Sequence, residues 1–122
     1  MKRTITLFAA VLLLAGCTQP KIKKAEPLVE AAIMQTVVHP ETYKPISTKL
    51  FYEGKVHESA ATYWEHIPYG DSIDVVVLQH LCSHDDRTHH VVESSFFVIM
   101  SPDMETVYYT QWDNGTGLPW ER

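Results

Sequence analysis

The sequence lacks the short motifs that mark many catalytic and cofactor sites. It contains no C-x-x-C pair, no H-E-x-x-H segment and no C₂H₂ spacing. It also has no nucleophile elbow, no phosphate-binding glycine loop and no dinucleotide fingerprint. Each of these motifs places ligands or backbone N–H groups where its chemistry needs them, so their absence argues against the common zinc, hydrolase and nucleotide-binding classes. We therefore expect the protein not to be an enzyme.

Positive charge is also scarce. The chain has 10 Lys and Arg against 15 Asp and Glu, which gives a formal net charge of −5. An acidic chain has no overall electrostatic attraction for nucleic acid or for anionic lipid head groups. We expect no nucleic-acid partner.

The start of the chain differs from the rest, because it has no acidic residue before position 26. Lys2 and Arg3 precede an apolar run over residues 5–15, which only Thr6 interrupts. A positive start, a short apolar run and small residues before a cut site describe a secretory signal. The run is too short for a membrane-spanning helix, which needs roughly 20 residues, and no later apolar stretch is long enough. Residues 1–16 are therefore predicted to be a signal peptide that is removed.

The segment Leu14-Ala15-Gly16-Cys17 resembles the lipobox of bacterial lipoproteins. In that family the signal is cut before the cysteine, which then carries a diacylglyceryl thioether and usually an acyl group such as palmitate on its amino group. The resemblance implies a mature chain of net charge −7, since Lys2 and Arg3 leave with the signal. Two or more acyl chains on Cys17 would hold it stably in a membrane of the cell envelope.

The residue after the cysteine bears on the choice of membrane. It is Thr18, where an aspartate would signal retention in the inner membrane of enterobacteria, so the resemblance favours the outer membrane. The alternative interpretation is an ordinary cleaved signal with a chance cysteine near the cut. The second cysteine, Cys82, has no intramolecular partner if Cys17 carries lipid. It is interpreted as a buried thiol, with an intermolecular disulfide or a metal-binding thiolate as alternatives.

The rest of the chain predicts one small domain. Residues 17–25, with three lysines, are typical of a lipidated cysteine and a tether, and residues 26–122 of the domain itself. Glu26-Pro27 suits a helix start, and apolar residues at spacing four predict a helix that ends before Pro40. Strand patterns follow from Thr48 and over residues 73–84, 89–100 and 106–112. The prediction is an α+β fold with one N-terminal helix packed on a three- to four-stranded antiparallel sheet.

A second resemblance concerns the run His39-Pro40-Glu41-Thr42-Tyr43-Lys44-Pro45-Ile46. It is similar to a D-P-(D/E)-S-Y-x-P-I segment in small uncharacterised bacterial envelope proteins, where a strand, a loop and an aromatic strand like Ser95 to Ile99 follow. The loop of those proteins is usually rich in Lys, Asn and Gly, whereas residues 83–88 here are Ser-His-Asp-Asp-Arg-Thr. The resemblance supports the fold, and that family supplies no activity.

Four of the seven histidines lie between positions 80 and 90. If strands 73–84 and 89–100 form a hairpin that closes at Asp86-Arg87, then alternation brings one group of side chains to one face: His80, Cys82, His84, His89 and Glu93. Imidazole, thiolate and carboxylate at cross-strand distances suit zinc or copper. The alternative is a row of solvated histidines without a metal, because a single bulge would divide the group between the two faces.

Two further groups of residues bear on function. Ser83-His84-Asp85 has the residue types of a hydrolytic triad, but adjacent strand residues point to opposite faces and cannot form the relay. Tyr108 and Tyr109 are predicted to face opposite ways, which would leave at least one exposed for partner contact. We expect a non-catalytic, membrane-tethered envelope protein that binds another protein or a cell-wall component. The alternative is a metal-binding lipoprotein that uses the hairpin 80–93.

Overall fold

The computed structural model describes residues 20–61, 64–68, 70–115 and 118, so the predicted signal peptide 1–16 and Cys17 lie outside the described residues. The elements in chain order are α1 (Pro20–Met34), β1 (His39–His57), a 3₁₀ helix (Glu58–Ala61), β2 (Ser72–Asp85), β3 (Val91–Met100) and β4 (Val107–Trp112). The strands form one antiparallel sheet in the order β1-β2-β3-β4. The predicted α+β fold, with one N-terminal helix and an antiparallel sheet, is confirmed.

Helix α1 begins at Pro20, six residues earlier than predicted. Ile22 and Ala25 are buried in the core, so the predicted tether 17–25 is wrong for residues 20–25, which belong to the helix. Pro27 lies inside the helix rather than at its start. It leaves the carbonyl of Lys23 without a helical N–H donor, and Lys23 is an exposed residue, so water can take the place of that donor. Among the described residues no helix is long and apolar enough to cross a membrane.

Both faces of the sheet are covered, which explains the continuous apolar run in β2. Val76 and Leu78 lie on the face that packs against α1, called here the helix face. Val75 and Val77 lie on the opposite face, called the far face. The far face is covered by Ala61 of the 3₁₀ helix and by three residues from the segments that follow the strands: Trp64, Ile67 and Leu118. A strand that is buried on both sides has no polar face to alternate with.

Strand β1 is long and irregular. It spans 19 residues at one edge of the sheet and pairs only with β2. Its register shifts at three places, between His39 and Lys44, between Pro45 and Ser47, and between Leu50 and Tyr52. The last shift is a bulge that brings the Phe51 ring to 4.6 Å from that of Phe97 on the far face.

Candidate functional site

The hairpin between β2 and β3 closes later than the sequence predicted. Asp85 pairs with Val91 and His84 with Val92, whereas the prediction opposed His84 to His89. The chain turns over residues 86–90, and the backbone N–H of Asp86 donates to the carbonyl of His90 at 2.9 Å. The Asp86 carboxylate accepts the backbone N–H of Thr88 at 2.8 Å and that of His90 at 3.0 Å.

This turn places His89 in an unusual backbone conformation. Its φ is 64°, in the left-handed region that asparagine and glycine adopt most easily. The Asp86 carboxylate holds the turn in this form, and its hydrogen bonds lower the pKa of that carboxyl. The side-chain bonds of one aspartate therefore stabilise the turn that accompanies this register.

The predicted metal ligands are not brought together. Glu93 pairs with Ser83 and lies on the far face, away from His80, Cys82 and His84 on the helix face. His89 lies in the turn, with its ring 4.1 Å from the ring of His39. In the part of the chain that the structure describes, no group of three or more His, Cys, Asp or Glu side chains could hold a metal ion. The prediction of a shared face for all five residues is wrong, because it used a register that the turn does not allow.

His80, which was predicted to be a metal ligand, takes part in a buried hydrogen-bond network. Its Nε2 lies 2.6 Å from the Tyr43 hydroxyl and its Nδ1 lies 2.7 Å from the Thr48 hydroxyl. A neutral imidazole can donate from one nitrogen and accept at the other, so both ring nitrogens have a partner. Burial lowers the pKa of His80 and raises that of Tyr43, to which Glu30 also contributes. This network joins β1 to β2, with the His80 ring and the Tyr43 hydroxyl both uncharged.

Cys82 and His84, the other two predicted metal ligands on the helix face, also make local contacts. Cys82 is fully buried and free, and burial raises the pKa of its thiol to about 11, which keeps it protonated. The His84 Nε2 lies 2.8 Å from the Ser94 hydroxyl. Ser83 is on the opposite face from His84, as the alternation of strand residues requires. The buried-thiol interpretation of Cys82 fits these contacts.

The aromatic residues of β4 are arranged differently from the prediction. Tyr108 and Tyr109 both pack on the far-face cluster, because a bulge opposite Ile99 and Met100 makes Tyr108 an extra residue in the strand. Trp112, at the end of β4, is 62 % exposed. Of the other aromatic residues, Tyr69 and Trp120 lie outside the described residues.

A groove of about 500 Å³ runs along β4, between that strand and α1. Its walls come from the C-terminal half of the helix and from the segment after the 3₁₀ helix. The lining residues are Leu28, Ala31, Ala32, Gln35, Thr36, Glu65, His66, Val107, Tyr108, Tyr109 and Thr110. The helix side contributes uncharged side chains, among them the small Ala31 and Ala32, which leave room for a second chain segment beside the strand.

The backbone of β4 faces this groove with hydrogen-bonding groups. Asp113 donates its N–H to Ser95 of β3 at 2.9 Å, so its N–H points into the sheet. Since orientation alternates along an antiparallel strand, the N–H and C=O of Thr110 and Trp112 point to the outer edge. The carbonyl of Tyr108 points the same way and accepts the N–H of Glu65 at 3.0 Å. Glu65 thus pairs with the edge of β4 at Tyr108, and no other described residue outside the sheet pairs with the backbone of Thr110, the next outward position in the groove.

No pattern in the sequence predicted this groove. It depends on which strand becomes the sheet edge and on how the helix crosses the sheet, and neither is encoded in a local motif. A comparison with models of known protein families, with curated proteins and with solved structures found no match.

Proposed function

We propose that the chain is the precursor of an envelope lipoprotein, in which residues 1–16 are removed and Cys17 carries the lipid that holds the protein to a membrane. The Leu-Ala-Gly-Cys segment after a short apolar run supports this proposal. The early start of α1 fits it, because the described helix starts at Pro20, three residues after Cys17. Thr18 after the cysteine favours the outer membrane.

The first test concerns the anchor. We expect intact-mass measurement of the chain from a bacterial host to show loss of residues 1–16 and the added mass of a diacylglyceryl group and an amide-linked acyl chain. The variant C17S should lack this mass and leave the membrane fraction. A cut at another peptide bond, or an unmodified Cys17 in the mature chain, would contradict the proposal.

We further propose that the domain is a non-catalytic binding module, with the groove along β4 as its binding site. The outward N–H and C=O of Thr110 in a groove of about 500 Å³ carry this proposal. An extended segment of a partner protein would add to the sheet at this edge, with main-chain hydrogen bonds for affinity and the groove for its side chains. Trp112, exposed at the end of β4, is the type of residue that anchors such interfaces. A cell-wall component is the alternative occupant.

The second test uses proline to block the edge. We expect T110P to leave folding almost unchanged, because its N–H points out of the sheet, and to prevent a strand from pairing there. A photocrosslinking amino acid at Trp112 should give an adduct with an envelope protein in living cells, and T110P should remove that adduct. Thermal unfolding of T110P checks that the domain stays folded.

Two controls give this test its meaning. The variant Q111P removes an N–H that points to β3, so it should destabilise the domain where T110P does not. The same crosslinker at Val91, which is 76 % exposed on the distant hairpin, controls for general surface contacts. An adduct at Trp112 that survives T110P, or an equal adduct at Val91, would argue against the groove. An adduct with peptidoglycan instead of protein would favour the cell-wall alternative.

A further inference from the structure

The lysines of this acidic protein are distributed unevenly. After the predicted signal the chain has six lysines, and half of them, Lys21, Lys23 and Lys24, fall within four consecutive positions. The other three are spread along β1 at positions 44, 49 and 55. No acidic residue precedes Glu26, so the start of α1 is positive although the whole chain has a net charge of −5.

The first turn of α1 presents these lysines to the outside. Ile22 and Ala25 face the core, and the three lysines between and beside them are exposed. Lys24 lies 3.6 Å from Glu105, but both side chains are more than half exposed, so the pair is weak and breaks at little cost. The first acids of the helix, Glu26 and Glu30, are half-buried, and their charges contribute to the raised pKa of Tyr43. Their charges therefore reach Tyr43 on β1, while Glu105 and Asp103 lie close enough to Lys24 to interact with it.

The distance to the proposed anchor is short. Three peptide links join Cys17 to Pro20, and a chain of this length spans at most about 11 Å. A lipid on Cys17 therefore holds the first turn of α1 within about one Debye length of the head groups, where charge attraction is felt. Lysines near an anionic membrane surface are each attracted to it, whatever the charge of the distant parts of the domain.

We propose that the first turn of α1 rests on anionic lipid head groups of the leaflet that holds the Cys17 lipid, with Lys21, Lys23 and Lys24 in contact with them. This inference rests on the proposed lipidation of Cys17. It fixes which end of the domain faces the membrane. The groove along β4 begins at Leu28, eight residues or roughly 12 Å farther along the helix, and stays open to a partner.

The experiment compares the two groups of lysines in one molecule. The mature, lipidated protein is reconstituted into vesicles of phosphatidylcholine, with or without phosphatidylglycerol, and treated briefly with a water-soluble amine-acetylating reagent. Mass spectrometry then gives the acetylation rate of each lysine. In vesicles with phosphatidylglycerol we expect acetylation of Lys21, Lys23 and Lys24 to slow by about five-fold relative to phosphatidylcholine alone. Lysines 44, 49 and 55 serve as the matched control, and their rates should not change.

Salt and a variant sharpen the outcome. High salt should restore the rates at the first turn, because it screens the attraction. The triple variant K21Q/K23Q/K24Q should remain lipidated. In that variant the mobility of the anchored domain should be the same on vesicles with and without phosphatidylglycerol. If phosphatidylglycerol slowed the acetylation of both groups of lysines equally, or of neither group, the inference would be overturned. The intact mass of the same sample shows whether Cys17 carries lipid, so failure of the proposed function is detected separately.

Discussion

Replacing Phe97 with alanine is expected to lower the free energy of unfolding by about 3–5 kcal/mol. The Phe97 side chain is 1 % exposed and lies on β3 at the centre of the far-face cluster. Alanine there leaves a cavity between two strands and the residues that cover them, and the surrounding sheet can relax only in part. Urea denaturation of F97A and of the unchanged chain gives the difference directly.

Phe51 provides the matched control for this prediction. Its ring contacts that of Phe97 at 4.6 Å, but it is 41 % exposed on the edge strand, so F51A removes the same side chain from a position that water already reaches. We expect F51A to cost clearly less than F97A. Equal losses in the two variants would mean that the far face is not packed as described.

Acid is expected to destabilise the domain through His80. Burial lowers the pKa of His80, so the unfolded chain takes up its proton near pH 6.5 while the folded chain does so only at lower pH. The stabilising contribution is therefore complete above about pH 6.5 and is lost as the pH falls from there through the lower folded-state pKa. Tyr43 and Cys82 nearby stay neutral over this range, because burial raises both of their pKa values.

The variant H80Q isolates this effect from the other histidines. Glutamine cannot titrate, and it can replace only part of the hydrogen bonding that joins Tyr43 to Thr48. We therefore expect H80Q to lower the free energy of unfolding by about 1–3 kcal/mol at neutral pH. The other six histidines are the same in both chains, so the difference between the two chains reports on His80. The gap between the two unfolding free energies should narrow from about pH 7.5 to about pH 5. A gap that does not change with pH would show that His80 does not titrate in this way.

The sequence predicted the fold through its strongest patterns. The strand pattern over residues 73–84 includes the unbroken apolar run Val75 to Leu78, and the structure covers this run with α1 on one side and with Ala61, Trp64 and Leu118 on the other. The helix was predicted, but its start was misplaced at Glu26-Pro27, because proline is common at the first turn and rare inside. Ile22 shows why the helix begins earlier, since its side chain completes the core under the first turn.

The candidate site was less predictable, since it depends on register and edges rather than on composition. The turn of the hairpin contains no glycine, so nothing indicated that His89 would adopt a positive φ. The register that goes with this turn pairs Glu93 with Ser83 and so separates it from the histidines. The bulge at Tyr108 likewise has no local sequence marker, yet it turns both tyrosines to one cluster. The groove along β4 follows from these long-range choices.

The two edges of the sheet differ in a way that limits self-association. Along β1, three register shifts, Pro40 and Pro45, and lysines at positions 44, 49 and 55 all work against the pairing of another strand, as in many proteins that avoid aggregation. Along β4 the backbone at Thr110 remains open. Continuous growth of a sheet into a fibril needs two open edges on every copy, and in the described part of this chain only one is open. Two copies that met through β4 would close as a pair, with no open edge left among their described strands for a third.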